Sequence, residues 1–244
     1  MRCVILGDSL TAVVDGAPAY CNELAALVQQ DPLLAEVKLE CSGVGGDTIP
    51  NVTRRIPTVL TACAPDWVIV FAGVNDCRFQ LAGSGLPTPS RLLRRRYFRR
   101  QKGLRHPGTV ASFRDALRTL VDTVHHHSSA RIALCTPATI GESPGSPESK
   151  LLDRYAESVR IVASERGCDV IDVHCYFQHA IARSPRRVPG PVMRIRARWY
   201  ERQHDYEHAA SARGYRYTYD GVHLSVEGSQ LVAGAFRDWL LGSV

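Results

Sequence analysis

Apolar residues along this chain fall into two kinds of stretch. Residues 2–6, 37–41, 67–71, 131–135 and 169–173 are short runs rich in Val, Ile, Leu and Cys with few polar interruptions. All five read as strands, and the unbroken run 67–71 reads as one buried on both faces, because a strand with one wet face alternates instead. Between the runs lie longer segments in which apolar residues return every three or four positions. Leu24, Leu27 and Val28 mark one over residues 17–30, and a second runs over 49–63. Phe113, Leu117, Leu120, Val121 and Val124 mark a third over 109–127, a fourth spans 151–167, and Leu231, Val232, Phe236 and Leu240 face inward from a last one ending near residue 241. Each spacing puts its apolar side chains on one face of a helix. Strand and helix alternate five times, so the expected fold is α/β: a five-stranded parallel sheet between two helical layers.

In an open parallel sheet, sites form outside the carboxyl ends of the strands, and here the chain turns polar and glycine-rich at those ends. The first run ends in Gly7-Asp8-Ser9-Leu10, a strand-to-helix turn of the kind that exposes a serine. The second opens into Ser42-Gly43-Val44-Gly45-Gly46-Asp47-Thr48, and the third ends in Gly73-Val74-Asn75-Asp76. The glycine-rich loop lacks the Gly-Lys-Ser/Thr of a phosphate-binding loop and the spacing of a dinucleotide fingerprint. Its glycines instead leave backbone N–H groups free to point into a site. Near the C-terminus, Tyr219-Asp220-Gly221-Val222-His223 sets a carboxylate and an imidazole three positions apart. Such a carboxylate can accept the ring N–H and fix the tautomer a base needs. Alone, the same motif also reads as an N-capping Asp with His in the first turn of a helix.

Four blocks, Gly7-Asp8-Ser9-Leu10, Gly46-Asp47-Thr48, Gly73-Val74-Asn75-Asp76 and Asp220-Gly221-Val222-His223, resemble in residue and order the four blocks of the SGNH (GDSL) hydrolases. The similarity covers most of residues 1–77, 109–176 and 217–241. It implies a flavodoxin-like three-layer α/β/α sandwich. It also implies Ser9 as nucleophile, His223 as general base and Asp220 as its orienting carboxylate. The oxyanion hole would come from the Ser9 and Gly46 backbone N–H groups and the Asn75 amide, while Asp8 and Asp76 would be structural. The second block often begins with Asn in this family; Cys41 stands in that place. The implied activity is a serine esterase or deacylase that needs no cofactor. The alternative is acyl transfer or thioester cleavage on a CoA- or carrier-linked acyl group with the same residues.

Composition adds limits. At 244 residues, 45% apolar and 22% charged, the chain suits one globular domain over 1–244. No run of eighteen apolar residues exists, so no membrane span is expected, and the first run is too short for a secretory core, which points to a cytoplasmic protein. The eight cysteines form no CxxC pair, and Cys3, Cys41 and Cys135 sit at strand-like positions, so reduced thiols are expected. His125-His126-His127 point in different directions on a helix, so no metal site is expected. His174 and Cys175 are read as rim or core packing.

The net charge of +6 is uneven. Arg91, Arg94, Arg95, Arg96, Arg99, Arg100, Lys102 and Arg105 fall in one segment without an acid, and seven arginines fall between residues 183 and 202 against Glu201 alone. The remainder is acidic. Residues 78–108 and 179–216 therefore read as basic, cap-like insertions leaving from the site's edge. Arg94, Arg95, Arg194 and Arg196 are the candidates for gripping an anionic ester, since guanidinium forks bind carboxylate and phosphate at two points. No nucleic-acid partner is expected, because no binding module accompanies the charge.

Overall fold

The computed structural model describes residues 1–13, 16–82, 108–184 and 189–244, apart from the side chains of Pro191 and Arg194. Its centre is built from the apolar runs. Strands β1 (Arg2–Gly7), β2 (Lys38–Gly43), β3 (Trp67–Phe71), β4 (Arg131–Cys135) and β5 (Asp169–Ile171) form one parallel sheet in the order β2-β1-β3-β4-β5. Alternate residues supply two cores. Cys3, Ile5, Trp67, Ile69, Phe71, Ala133 and Cys135 pack under helices α1 (Tyr20–Gln30), α6 (Val173–Arg183) and α9 (Val226–Leu241). Val4, Leu6, Val68, Val70, Ile132 and Leu134 pack under α2 (Ile49–Cys63), α4 (Val110–His127) and α5 (Pro147–Arg166) on the other face. Both faces being covered is why β1, β3 and β4 carry almost no polar residue, whereas the edge strand β2 carries Lys38, Glu40 and Ser42 and buries none of its residues fully. Tyr20, Phe71 and Phe236 meet edge-to-face with centroids 5.3–5.6 Å apart, fixing α1 and α9 on the sheet.

The strand order reverses at β1, whose neighbours are β2 and β3. That crossing opens a crevice at the carboxyl edge of β1 and β3, the place where open α/β sheets bind ligands. The three expected layers and five parallel strands are present. The last helix differs from expectation in its start: α9 begins at Val226 and is capped by the Ser225 hydroxyl, which accepts from the Gly228 N–H. Asp220 and His223 thus lie ahead of the helix as a separate turn, closed by the bridge between Thr218 and Leu224.

Four described helices were not predicted, one of them α6, whose start at Val173 cuts the fifth predicted strand, 169–173, back to Asp169–Ile171. α3 (Val74–Leu81) continues straight from the third block, and α7 (Pro191–Arg202) and α8 (Tyr206–Arg213) occupy much of the second basic segment. α7 and α8 bury mainly Ala197, Ala209, Ala210 and Ala212, and side chains that small leave no hydrophobic period to read. No described helix is long and apolar enough to cross a membrane. The cysteine expectation fails at one pair: Cys21 on α1 and Cys41 on β2 are joined in a disulfide, while Cys3, Cys63, Cys77, Cys135, Cys168 and Cys175 are free thiols. A helix lying across the edge strand brings the two sulfurs together, a contact between elements that neither cysteine's own neighbours announce.

Candidate active site

Ser9 follows β1 directly and is half-buried. The turn holding it is tied by the Asp8 carboxylate, which accepts from the Leu10 N–H at 3.0 Å, and by the Asp8 carbonyl, which accepts from the Ala12 N–H at 3.0 Å. Full burial drives the Asp8 carboxyl up to about 7, against the downward pull of the Leu10 N–H and of His223. The end of β2 lies hard against this turn. A Cβ on Gly43 would stand 2.2 Å from the Ala12 backbone nitrogen, so only glycine fits there. Gly46, further along the same loop, has φ 75°, a left-handed conformation that glycine alone adopts without strain.

Asn75 opens α3 at the end of β3. Its Nδ2 donates to the Asp47 carbonyl at 3.0 Å and to Asp8 Oδ2 at 3.2 Å. One amide therefore touches the residue before Ser9 and the residue after Gly46, which draws three strand ends into one cluster. Asp76 sits behind it and accepts from the Ile49 N–H at the start of α2, at 3.1 Å. Burial pushes its carboxyl up to about 8, with the Ile49 N–H opposing and the Asp8 charge adding to the rise.

From the far end of the chain, His223 reaches Ser9: His223 Nε2 stands 3.1 Å from Ser9 Oγ. On the other side of the ring, His223 Nδ1 is 2.7 Å from Asp220 Oδ2. A carboxylate accepts only, so Nδ1 carries the proton and Nε2 presents its lone pair to the serine hydroxyl. Asp220 Oδ1 accepts from the Val222 and His223 N–H groups at 2.9 and 2.8 Å, which hold the carboxylate in place. Burial would raise the Asp220 carboxyl, but the His223 ring and these N–H groups outweigh it and hold it below its ordinary value. Reciprocally, the hydrogen bond to Asp220 raises His223 above the usual imidazole range against the opposing effect of burial. A hydroxyl, an imidazole and a carboxylate in this order can take the serine proton as its oxygen attacks an acyl carbon, and can return it to a leaving alcohol.

A family model for GDSL-like lipases and acylhydrolases matches residues 5–231. The chain belongs to the GDSL-like lipase/acylhydrolase family. As a member of it, the protein is an ester hydrolase. Among solved structures, the GDSL-like chain resembles the acetyl xylan esterase AlAXEase, with a TM-score of 0.66 at 20% identity over 98% of this chain and 99% of that one. An acetylxylan esterase from Geobacillus stearothermophilus gives 0.65 at 20% identity over 97% and 92%. An α/β hydrolase from the metagenome of Lake Arreo, Spain, gives 0.65 at 20% over 97% and 93%. At such identity these likenesses speak for the fold. No curated protein matches the chain.

Of the other candidate residues in this GDSL-like chain, Arg94 and Arg95 lie outside the described residues, as does the Arg194 side chain. Arg196 is exposed on α7. It takes no part in lining the cavity of about 100 Å³ beside Ser9, whose walls include Leu10, Tyr206, Tyr219, His223 and Leu224. Tyr219 stacks on the His223 ring at 5.5 Å and Tyr206 leans on Tyr219 at 4.6 Å, so α8 brings an aromatic side chain to the site. His174 lies elsewhere, buried with Nδ1 at 3.1 Å from the Ala138 carbonyl and Nε2 at 2.8 Å from Asp153.

Two residues at the site carry no sequence signal. Arg55 on α2 donates to Asp47 Oδ2 at 3.0 Å, to Ser42 Oγ at 2.7 Å and to the Gly7 carbonyl at 2.7 Å, clamping the ends of β1 and β2. Glu142 is the other. Both act on backbone or on residues distant in sequence, and neither belongs to a recognisable block.

Proposed function

We propose that this protein hydrolyses esters of small acyl groups, of the acetyl kind, through an acyl-enzyme on Ser9. The observation that carries the reading is the unbroken line from Ser9 Oγ through the His223 ring to Asp220. Ser9 Oγ attacks the acyl carbon as its proton passes to His223 Nε2. The C–O bond to the alcohol then breaks, and the departing oxygen takes that proton. Water, deprotonated by the same nitrogen, attacks the acyl-enzyme and releases the acid and free Ser9. The Ser9 and Gly46 backbone N–H groups and Asn75 Nδ2 steady the negative oxygen that each attack generates. A single donor of this kind is typically worth about 3–4 kcal/mol.

Size supports a small group. Pockets that enclose drug-sized ligands run to roughly 300–1,000 Å³, whereas the cavity beside Ser9 is about 100 Å³. The neighbours described as acetyl xylan esterases favour acetyl on a sugar hydroxyl. Among the described residues, the cavity walls include no arginine or lysine.

Steady-state hydrolysis of p-nitrophenyl acetate, butyrate and octanoate tests this, with kcat/KM expected to fall by about tenfold or more from acetyl to octanoyl. A fluorophosphonate probe should label Ser9 in the wild-type protein and leave Ser9→Ala unlabelled. Retention of a few per cent of turnover by Ser9→Ala would sink the acyl-enzyme reading.

A further inference from the structure

The turn that carries Asp220 and His223 belongs to no strand of the sheet, yet its ring must meet Ser9 across 214 positions of chain. What ties the turn to the sheet comes from the loop after β4. There Glu142 is 1% exposed. Its Oε1 accepts from the Tyr217 N–H, the Thr218 N–H and the Thr218 hydroxyl, each at 2.8 Å, and its Oε2 accepts from the Arg216 N–H at 2.8 Å. The adjacent Gly141 N–H donates to the Gly221 carbonyl, inside the turn itself, at 2.6 Å.

Segment 216–218 has no sheet neighbour to receive its N–H groups, and buried N–H groups without partners are costly. A carboxylate is costly to bury too, unless donors surround it, and here four do. Each requirement answers the other, so Glu142 and the segment lock at one depth. From there the linkage to the ring is short. Thr218 pairs with Leu224 across the turn, and the Tyr219 N–H donates to the His223 carbonyl at 2.9 Å. A shift of Thr218 is therefore a shift of His223.

We infer that Glu142 is a positioning residue for the reaction: it anchors the Asp220–His223 turn to the sheet and sets the reach of His223 Nε2 to Ser9 Oγ. The inference rests on the reading of Ser9 as nucleophile and His223 as its base. Misplacing a reacting group by about 1 Å costs on the order of 10²-fold in rate, which gives Glu142 an effect on turnover beyond its effect on folding.

The test compares wild type, Glu142→Ala, Glu142→Asp and Glu142→Gln. Fluorophosphonate titration counts competent serines, and hydrolysis of p-nitrophenyl acetate is then expressed per titrated site. Glu142→Gln keeps an acceptor oxygen for Tyr217 and Thr218 but turns an amide donor toward the Arg216 N–H, so it should lose less in kcat per site than Glu142→Asp. Glu142→Asp retracts the carboxylate and should lose about tenfold in kcat per site, and Glu142→Ala about 10²-fold, with the rate of probe labelling falling in step. A purely structural role would lower the number of titrated sites and leave turnover per site unchanged. Should Glu142→Ala not fold, the aspartate and glutamine variants decide: equal kcat per site in both and in wild type overturns the inference. A wild-type protein that takes no probe at Ser9 overturns the esterase reading, and the role of Glu142 with it.

Discussion

The two halves of the site are built by different means. Ser9, Gly46 and Asn75 stand at the ends of β1, β2 and β3, strands paired residue by residue in one sheet. Their relative positions follow from strand pairing, and Arg55 and the Asn75 amide add ties among ends the sheet has already brought together. Asp220 and His223 ride on a loop, and the loop takes its place from side-chain and peptide contacts: Glu142, Gly141, and Arg213 Nη1 donating to the Tyr219 carbonyl at 2.9 Å. The first half inherits its geometry from secondary structure, and the second acquires it from tertiary contacts alone. Substitutions in supporting residues should therefore disturb rate in the second half and stability in the first.

The largest effect short of removing the nucleophile falls on the loop-borne half. Asp220→Asn should lower kcat by on the order of 10⁴-fold, since an amide no longer selects the Nδ1–H tautomer. The carboxylate holds His223 above its ordinary value, and the base works only when neutral. The acid limb of the wild-type pH–rate profile should therefore lie above that of free imidazole and move to lower pH in Asp220→Asn. A limb that stays put breaks the pairing of Asp220 with His223. On the strand-borne half, Asn75→Ala should cost about 10²–10³-fold in kcat, the size of a lost oxyanion donor, together with some stability, because the same Nδ2 ties Asp8 and Asp47 in the resting protein. Smallest in rate is Arg55→Met. It removes the guanidinium from Asp47 and Ser42 Oγ and leaves the Gly7 carbonyl with only the longer bond from the Val44 N–H, and should lower unfolding stability by roughly 2 kcal/mol, while kcat per titrated site changes far less than in Glu142→Ala. If Arg55→Met costs more turnover than stability, the contrast between the halves fails.

The strand-borne half is also the half that the sequence displays. Residues 67–71 and 131–135 coincide with β3 and β4, because strands buried on both faces must be apolar throughout. The glycines and polar residues that end β1, β2 and β3 are local signals for the same reason. The other half is legible only as Asp220 and His223. Glu142 spends all its bonds on backbone N–H groups and one threonine, and such partners leave no mark on composition or spacing. The capping reading of Asp220 fails because Ser225, five residues later, does the capping. Cys21 and Cys41 lie 20 positions apart with no paired spacing to mark them, so their disulfide left no sequence signal.

The hydrogen bond between His223 and Ser9 also sets a sequence of events in time. During synthesis Ser9 emerges 214 positions before His223, so a nascent chain halted between them carries the serine without the imidazole proposed as its base. On the proposed reading, reactivity arrives only when these two distant segments have folded together. Esterase activity through Ser9 would thus appear only once the segment bearing His223 has docked beside β1.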